Sequence, residues 1–195
     1  VDTYRAKASN CTGHRAYTLA NQYLENAMDM AREIRDTGRE ALCLCNLAEN
    51  SLFQYCESTD TAYAGLLPKA RRMALSALGM ASNDYNIKCK AVCAAIRAMF
   101  SELMRGGCQP ARRSLLLDSI YSFCMDGYQT VSSFSDGCEY NTLFSIFHAD
   151  YYIACMQMDR SRMMLDSIAR ADSLTNESRQ ELNLSYYYYY RILCR

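Results

Sequence analysis

The chain contains no tryptophan, two prolines, two histidines and eight glycines in 195 residues. So few turn formers leave little room for many short strands, and long helices are the simpler expectation. Charge of one sign is also missing. Twenty-one basic and 21 acidic side chains balance, so the basic surplus of a nucleic-acid binder is absent. The densest apolar stretch, "AVCAAI" at Ala91 to Ile96, is far below the roughly 18–20 residues that span a bilayer. No GxGxxG, P-loop, HExxH or GxSxG pattern occurs, so the usual nucleotide, zincin and hydrolase sites have no anchor in the sequence.

What is abundant is cysteine and tyrosine, 11 and 16 residues. Cys43, Cys45, Cys89, Cys93, Cys155 and Cys194 stand within apolar helical patterns where Ala or Leu would serve. They are expected as small core hydrophobes rather than a disulfide framework. There is no CxxC pair, and His14 and His148 are remote from the cysteines in sequence. No metal site and no cofactor are expected.

Helical spacing runs through nearly every segment. Nine helical segments are expected; Thr12-Gly13, Asp36-Thr37-Gly38, "ESTD", Gly106-Gly107 and the Ser/Gly-rich stretch Gln129 to Gly137 read as breaks among them, and Ser82, Asn83 and Asp84 as candidate caps of the segment that follows. Pro68 either kinks its segment or starts a helix. The helix "EYNTLFSIFHADYYIACMQM" is expected to run to Met158, and Ser178 with Glu181 reads as a capping box for the last helix. The chain begins with Val1-Asp2 and ends inside an apolar pattern, so it is expected to be a piece of a longer protein or a mature chain without its leader.

The pattern also repeats. "RRSLLLDSI" (Arg112 to Ile120) and "RSRMMLDSI" (Arg160 to Ile168) align at a spacing of 48, and "PKARRMALSAL" aligns with "PARRSLLLDSI" at 42. Repeats of this length mean stacked helix pairs. Arg71-Arg72, Arg112-Arg113 and Arg160/Arg162 recur in these copies, so a basic stripe for an acidic partner is one expectation.

"AREIRDTGREALCLCNLAENSLF" resembles a tetratricopeptide-repeat junction: a helix end, a Gly-containing turn, then a helix with "NLA" where that family often has "NLG". Ala70 and Ala77 keep the spacing of the family's small residues. The period is longer than the family's roughly 34 residues. The resemblance implies an all-α, right-handed α-α superhelix of stacked helix pairs, in a single domain over residues 1–195. It also implies a binding role toward a protein, a peptide or a small ligand, without enzymatic activity or nucleic acid. The groove of such repeats is lined by the first helix of each pair, which here points to Asn46, Glu49, Arg97, His148 and Tyr152. The N-terminal third is similar to the sensor regions of Bacteroidetes-type bacterial signalling proteins, which implies an extracytoplasmic, periplasmic location. The cysteine content speaks for the cytoplasmic alternative. The functional alternative is a helical enzyme using His148 or a cysteine. "SYYYYYRIL" carries more rings than one helix face can bury, so two or three tyrosines should pack on the preceding helix. The rest should be exposed and available for self-association.

Overall fold

A computed structural model describes residues 1–57, 63, 65–81, 84–105, 108–132, 138–171 and 174–194. Within them the chain is all-α, with α1 (Asp2–Gly13), α2 (Tyr17–Glu33), α3 (Thr37–Glu57), α4 (Leu66–Met80), α5 (Tyr85–Arg105), α6 (Pro110–Ser132), α7 (Cys138–Ala154), α8 (Met158–Ala169) and α9 (Asn176–Leu193). No strand occurs among the described residues, and none of their helices is long and apolar enough to cross a membrane. The chain divides into two compact units, Val1–Ala98 and Met99–Arg195.

Three turns share one chemistry, and glycine has no part in it. Arg15, Arg35 and Met156 adopt left-handed backbone, with φ of 59°, 56° and 60°. After α2, the Arg35 amide donates to the Arg32 carbonyl at 3.0 Å and the Asp36 amide to Ala31 at 2.9 Å. Arg15 and Ala16 after α1, and Met156 and Gln157 after α7, repeat both bonds. This is the Schellman cap, which satisfies carbonyls that a helix end leaves open. The expected breaks at Gly13 and Gly38 are therefore displaced. Gly13 closes α1 and Gly38 lies inside α3, and the αL residues are Arg15, two residues after Gly13, and Arg35, three residues before Gly38. The expected extension of α7 to Met158 stops at Ala154 for the same reason.

The remaining boundaries follow side-chain caps. Asp84 Oδ1 accepts from the Asn86 and Ile87 amides at 2.9 and 3.1 Å, which starts α5; Ser82 and Asn83 lie outside the described residues. Pro68 sits in the first turn of α4, where its missing N–H costs nothing. The loop expected from Gln129 is helical through Ser132, and 133–137 lie outside the described residues, as do Gly106 and Gly107. Helix α9 starts earlier than expected. Thr175, not Ser178, is the N-cap, and its Oγ1 accepts from the Ser178 amide at 3.2 Å.

In the first unit α1 packs on α2, α2 on α3 and α3 on α4. The contact residues are small: Ala20, Ala27, Ala31, Ala41, Ala70, Ala74 and Ala77 are fully buried. The second unit packs α7 against α6, α8 and α9, and α8 against α9. Its interior is built from large side chains, with Phe144, Phe147, Ile146, Ile153 and Leu165 at 0–1% exposure. The closest approach is at Gly127 of α6. A Cβ there would lie 2.6–2.7 Å from the Phe144 ring.

The "LDSI" copies stand on α6 and α8 but bury different positions. Ile120 is buried where its counterpart Ile168 is half-exposed, and Leu165 is buried where Leu117 is not. The five tyrosines distribute around α9. Tyr189 joins the core with Leu165, and Tyr186 donates to Asp166 of α8 at 2.6 Å. Tyr188 meets Phe100 edge-on at 5.2 Å, while Tyr187 and Tyr190 are exposed.

Candidate functional site

The first unit holds a cavity of about 460 Å³. Helix α1 gives it Asp2, Arg5, Ser9 and Thr12, and α3 gives Asn46, Glu49, Asn50 and Phe53. Both sets follow the helical i, i+3/i+4, i+7 pattern, which keeps one face toward the space. Lys90 of α5 and Leu24 of α2 complete the wall. Three of these helices, α1, α3 and α5, alternate in the chain.

A side-chain network stiffens the lining. The Thr12 hydroxyl lies 2.7 Å from Asn50 Oδ1 and 3.0 Å from the Ala8 carbonyl, sharing its proton between them. Asn50 Nδ2 donates to Asn21 Oδ1 at 3.1 Å. Both acids are matched: Glu49 meets Lys90 at 3.3 Å, and Asp2 meets Arg39 at 3.0 Å and Arg5 Nη1 at 3.3 Å. One donor is left over. Arg5 Nε is buried and has no hydrogen-bond partner. Phe53, 48% exposed, supplies an apolar rim.

Two of the five residues expected at the groove, Asn46 and Glu49, line this cavity. Arg97, two turns beyond Lys90 on α5, is half-buried and outside the lining. His148 and Tyr152 belong to the second unit, in a different setting. Their rings stack at 4.8 Å. Tyr121, Tyr128 and Tyr151 surround His148 at centroid distances of 6.0–6.2 Å, and Arg160 lies 5.8 Å over Tyr152. Burial pushes the His148 imidazole below its ordinary value, so it is neutral at neutral pH. Its Nε2 is buried without a partner.

Arg5, Thr12, Asn50 and Lys90 were not anticipated at the site. The signal was present in "VDTYRAKASNCTG", where Asp2, Arg5, Ser9 and Thr12 form a polar stripe on a helix otherwise unremarkable in sequence.

The arginines of the repeated segments do not form a free basic stripe in the second unit. Arg112 pairs with Glu102 at 3.1 Å, Arg113 Nη2 donates to the Ala154 carbonyl, and Arg162 pairs with Asp166 at 2.8 Å. The thiols behave as core groups where they are buried. Burial pushes Cys45 and Cys124 up to about 12 and Cys89 to about 11. Cys155 is half-buried and Cys194 exposed, against expectation. Among the described residues no cluster of His, Cys, Asp or Glu is arranged to hold a metal. No protein-family model, curated protein or solved structure matches this chain, and the tetratricopeptide resemblance rests on the quoted residues alone.

Proposed function

We propose that the chain is a ligand-binding helical-repeat module, the extracytoplasmic sensor or interaction domain of a bacterial signalling protein, and that the α1/α3/α5 cavity is its binding site. The observation that carries this reading is Arg5. Arg5 lines the cavity, and its Nε–H is buried beside it with nothing to accept from it; an unmet donor on a charged group costs free energy that an incoming acceptor recovers once the side chain turns toward the space. The neighbouring acids are already paired, so the acceptor the site needs is an anionic oxygen, such as the carboxylate of a peptide or small acid. Asn46 adds an amide, and Leu24 and Phe53 take the apolar remainder. A volume of about 460 Å³ falls in the range of small-ligand pockets.

The alternation of α1, α3 and α5 around the cavity supports the stacked-pair, superhelical arrangement. Sealed thiols such as Cys43, Cys45, Cys89 and Cys93 are slow to oxidise or exchange, which reduces the objection that cysteine raises to an extracytoplasmic location. The enzymatic alternative has less support. His148 has aromatic neighbours rather than an acid or a nucleophile, and the most buried thiols are held protonated.

Calorimetric titration with N-acetyl-trialanine and with its C-terminal amide tests the site. The acid is expected to bind and the amide to bind far more weakly. Arg5→Gln should weaken the acid by about ten- to a hundredfold, the value of a charge-assisted hydrogen bond, with an unchanged melting temperature. No binding of either probe, or equal binding by wild type and Arg5→Gln, counts against the reading.

A further inference from the structure

Helix α7 carries a carboxylic acid into the interior of the second unit. Asp150 is 4% exposed, on a helix whose Ile146, Ala149 and Ile153 form one core with Leu182 and Tyr189 of α9. Its Oδ1 has no hydrogen-bond partner. From α9 it is faced by Ser185, itself 1% exposed, and by Glu181. From α6 the Cys124 thiol faces it. Helix α8 buries Ser161, whose Oγ likewise has no partner; the α8 charges Arg162 and Asp166 bond each other, and Asp166 also accepts from Tyr186. Among the described residues no cationic side chain faces Asp150.

Counting protons decides which form of Asp150 fits. A serine hydroxyl has one proton to give. Ser185 Oγ uses it on the Glu181 backbone carbonyl at 3.1 Å, so toward Asp150 it presents a lone pair. That lone pair matches the O–H of a neutral carboxyl and repels a carboxylate. An ionised Asp150 would have to pull Ser185 away from its helix carbonyl, or remain a buried charge beside the Glu181 carboxylate. Either is costly in a dry interior.

We propose that Asp150 is a proton-operated latch for the last helix: with its proton it holds α9 against α7, and without it α9 loosens. Burial pushes the Asp150 carboxyl well above the usual carboxylate range and the charge of Glu181 raises it further; only a Ser185 hydroxyl turned away from the Glu181 carbonyl, to donate to Asp150 instead, would draw it partly back. The sign follows. The folded state holds a proton that the unfolded chain gives up near about pH 4, so docking of α9 is strongest in acid. It weakens as pH rises from there through the raised folded value.

Hydrogen exchange of the full-length chain, corrected for intrinsic rates, reads the latch directly. Between about pH 5 and about pH 8.5 the α9 amides should lose about tenfold or more of their protection, while α3 amides change little. Asp150→Asn, whose NH₂ can still donate to Ser185, should keep α9 protected at both pH values. Carbon-13 carboxyl NMR of aspartate-labelled wild type gives a reading independent of whether that variant folds, and should show one aspartate still protonated when the exposed ones have ionised. Equal α9 protection at both pH values, an unchanged pH response in Asp150→Asn, or an Asp150 carboxyl that titrates with the exposed aspartates each overturns the latch.

Discussion

Arg5 in the first unit and Asp150 in the second each bury an atom with no partner, in opposite surroundings. Arg5 borders a cavity, among small side chains and a satisfied run of amides and hydroxyls. Asp150 is closed in by large apolar groups. The same orphaned atom therefore has different consequences. Next to space, a turn of the side chain would let an external acceptor meet it, as the proposed binding site requires. Without space the group must change its own protonation state instead. The first unit arranges polar residues around a cavity, and the second fills its volume and leaves the polar remainder sealed.

The difference in free volume gives the largest expected effect. Gly127→Ala places a methyl 2.6–2.7 Å from the ring of Phe144, a side chain with no exposure and nowhere to move. The expected loss is about 1–3 kcal/mol, read from denaturant unfolding, and Phe144→Leu in the same chain should restore part of it. Gly79→Ala in α4, where an added Cβ meets nothing within 4 Å, should instead stabilise by about 0.5–1 kcal/mol through helix propensity. If both substitutions behave alike, the contrast in packing fails.

Polar satisfaction is the second line of division. Asn50→Ala cuts the Thr12–Asn50–Asn21 chain and strands the Asn21 oxygen, for an expected cost of about 1–2 kcal/mol. Ser161→Ala in the second unit removes a hydroxyl that is buried and has no partner, so it should be neutral or stabilising by up to about 1 kcal/mol. Thermal melts of the two variants side by side sharpen the comparison. A costly Ser161→Ala would mean that the second unit satisfies its polar groups as the first does.

Much of the helical order was legible because periodicity and charge are local properties of the chain. Asp84 and Pro68 act where their chemistry predicts. Two of the five expected groove residues line the cavity for the same reason: Asn46 and Glu49 share a face of one helix. The rest depended on which helices meet. Arg5 and Lys90 come together across elements far apart in the chain, and nothing local distinguishes Arg5 from any exposed arginine. Arg97 was expected at the groove as a first-helix residue, yet the cavity opens beside Lys90 two turns away. The capping box at Ser178/Glu181 was one choice among two, since Thr175 offers the same hydroxyl three residues earlier and is the one used. The turns were misplaced by two or three residues because glycine is the usual αL residue, and here arginine and methionine take its place.

That substitution of arginine for glycine gives the smallest and most local prediction. Arg35 holds φ at 56°, a conformation that costs an L-residue about 1–2 kcal/mol and glycine almost nothing. Both Schellman bonds at this turn come from main-chain amides, at 3.0 and 2.9 Å, so they survive loss of the side chain. Arg35 is exposed, so the variant sacrifices no packing in the core. Against the gain stands the greater freedom of glycine in the unfolded chain, which takes back part of it. Arg35→Gly should therefore stabilise by about 0.5–1 kcal/mol in equilibrium unfolding. Arg15→Gly should gain less, because Arg15 also pairs with Glu57 at 3.3 Å and an exposed pair is worth up to about 1 kcal/mol. Loss of stability in Arg35→Gly would mean that its side chain holds the α2–α3 turn, and that this corner of the first unit is not set by backbone geometry alone.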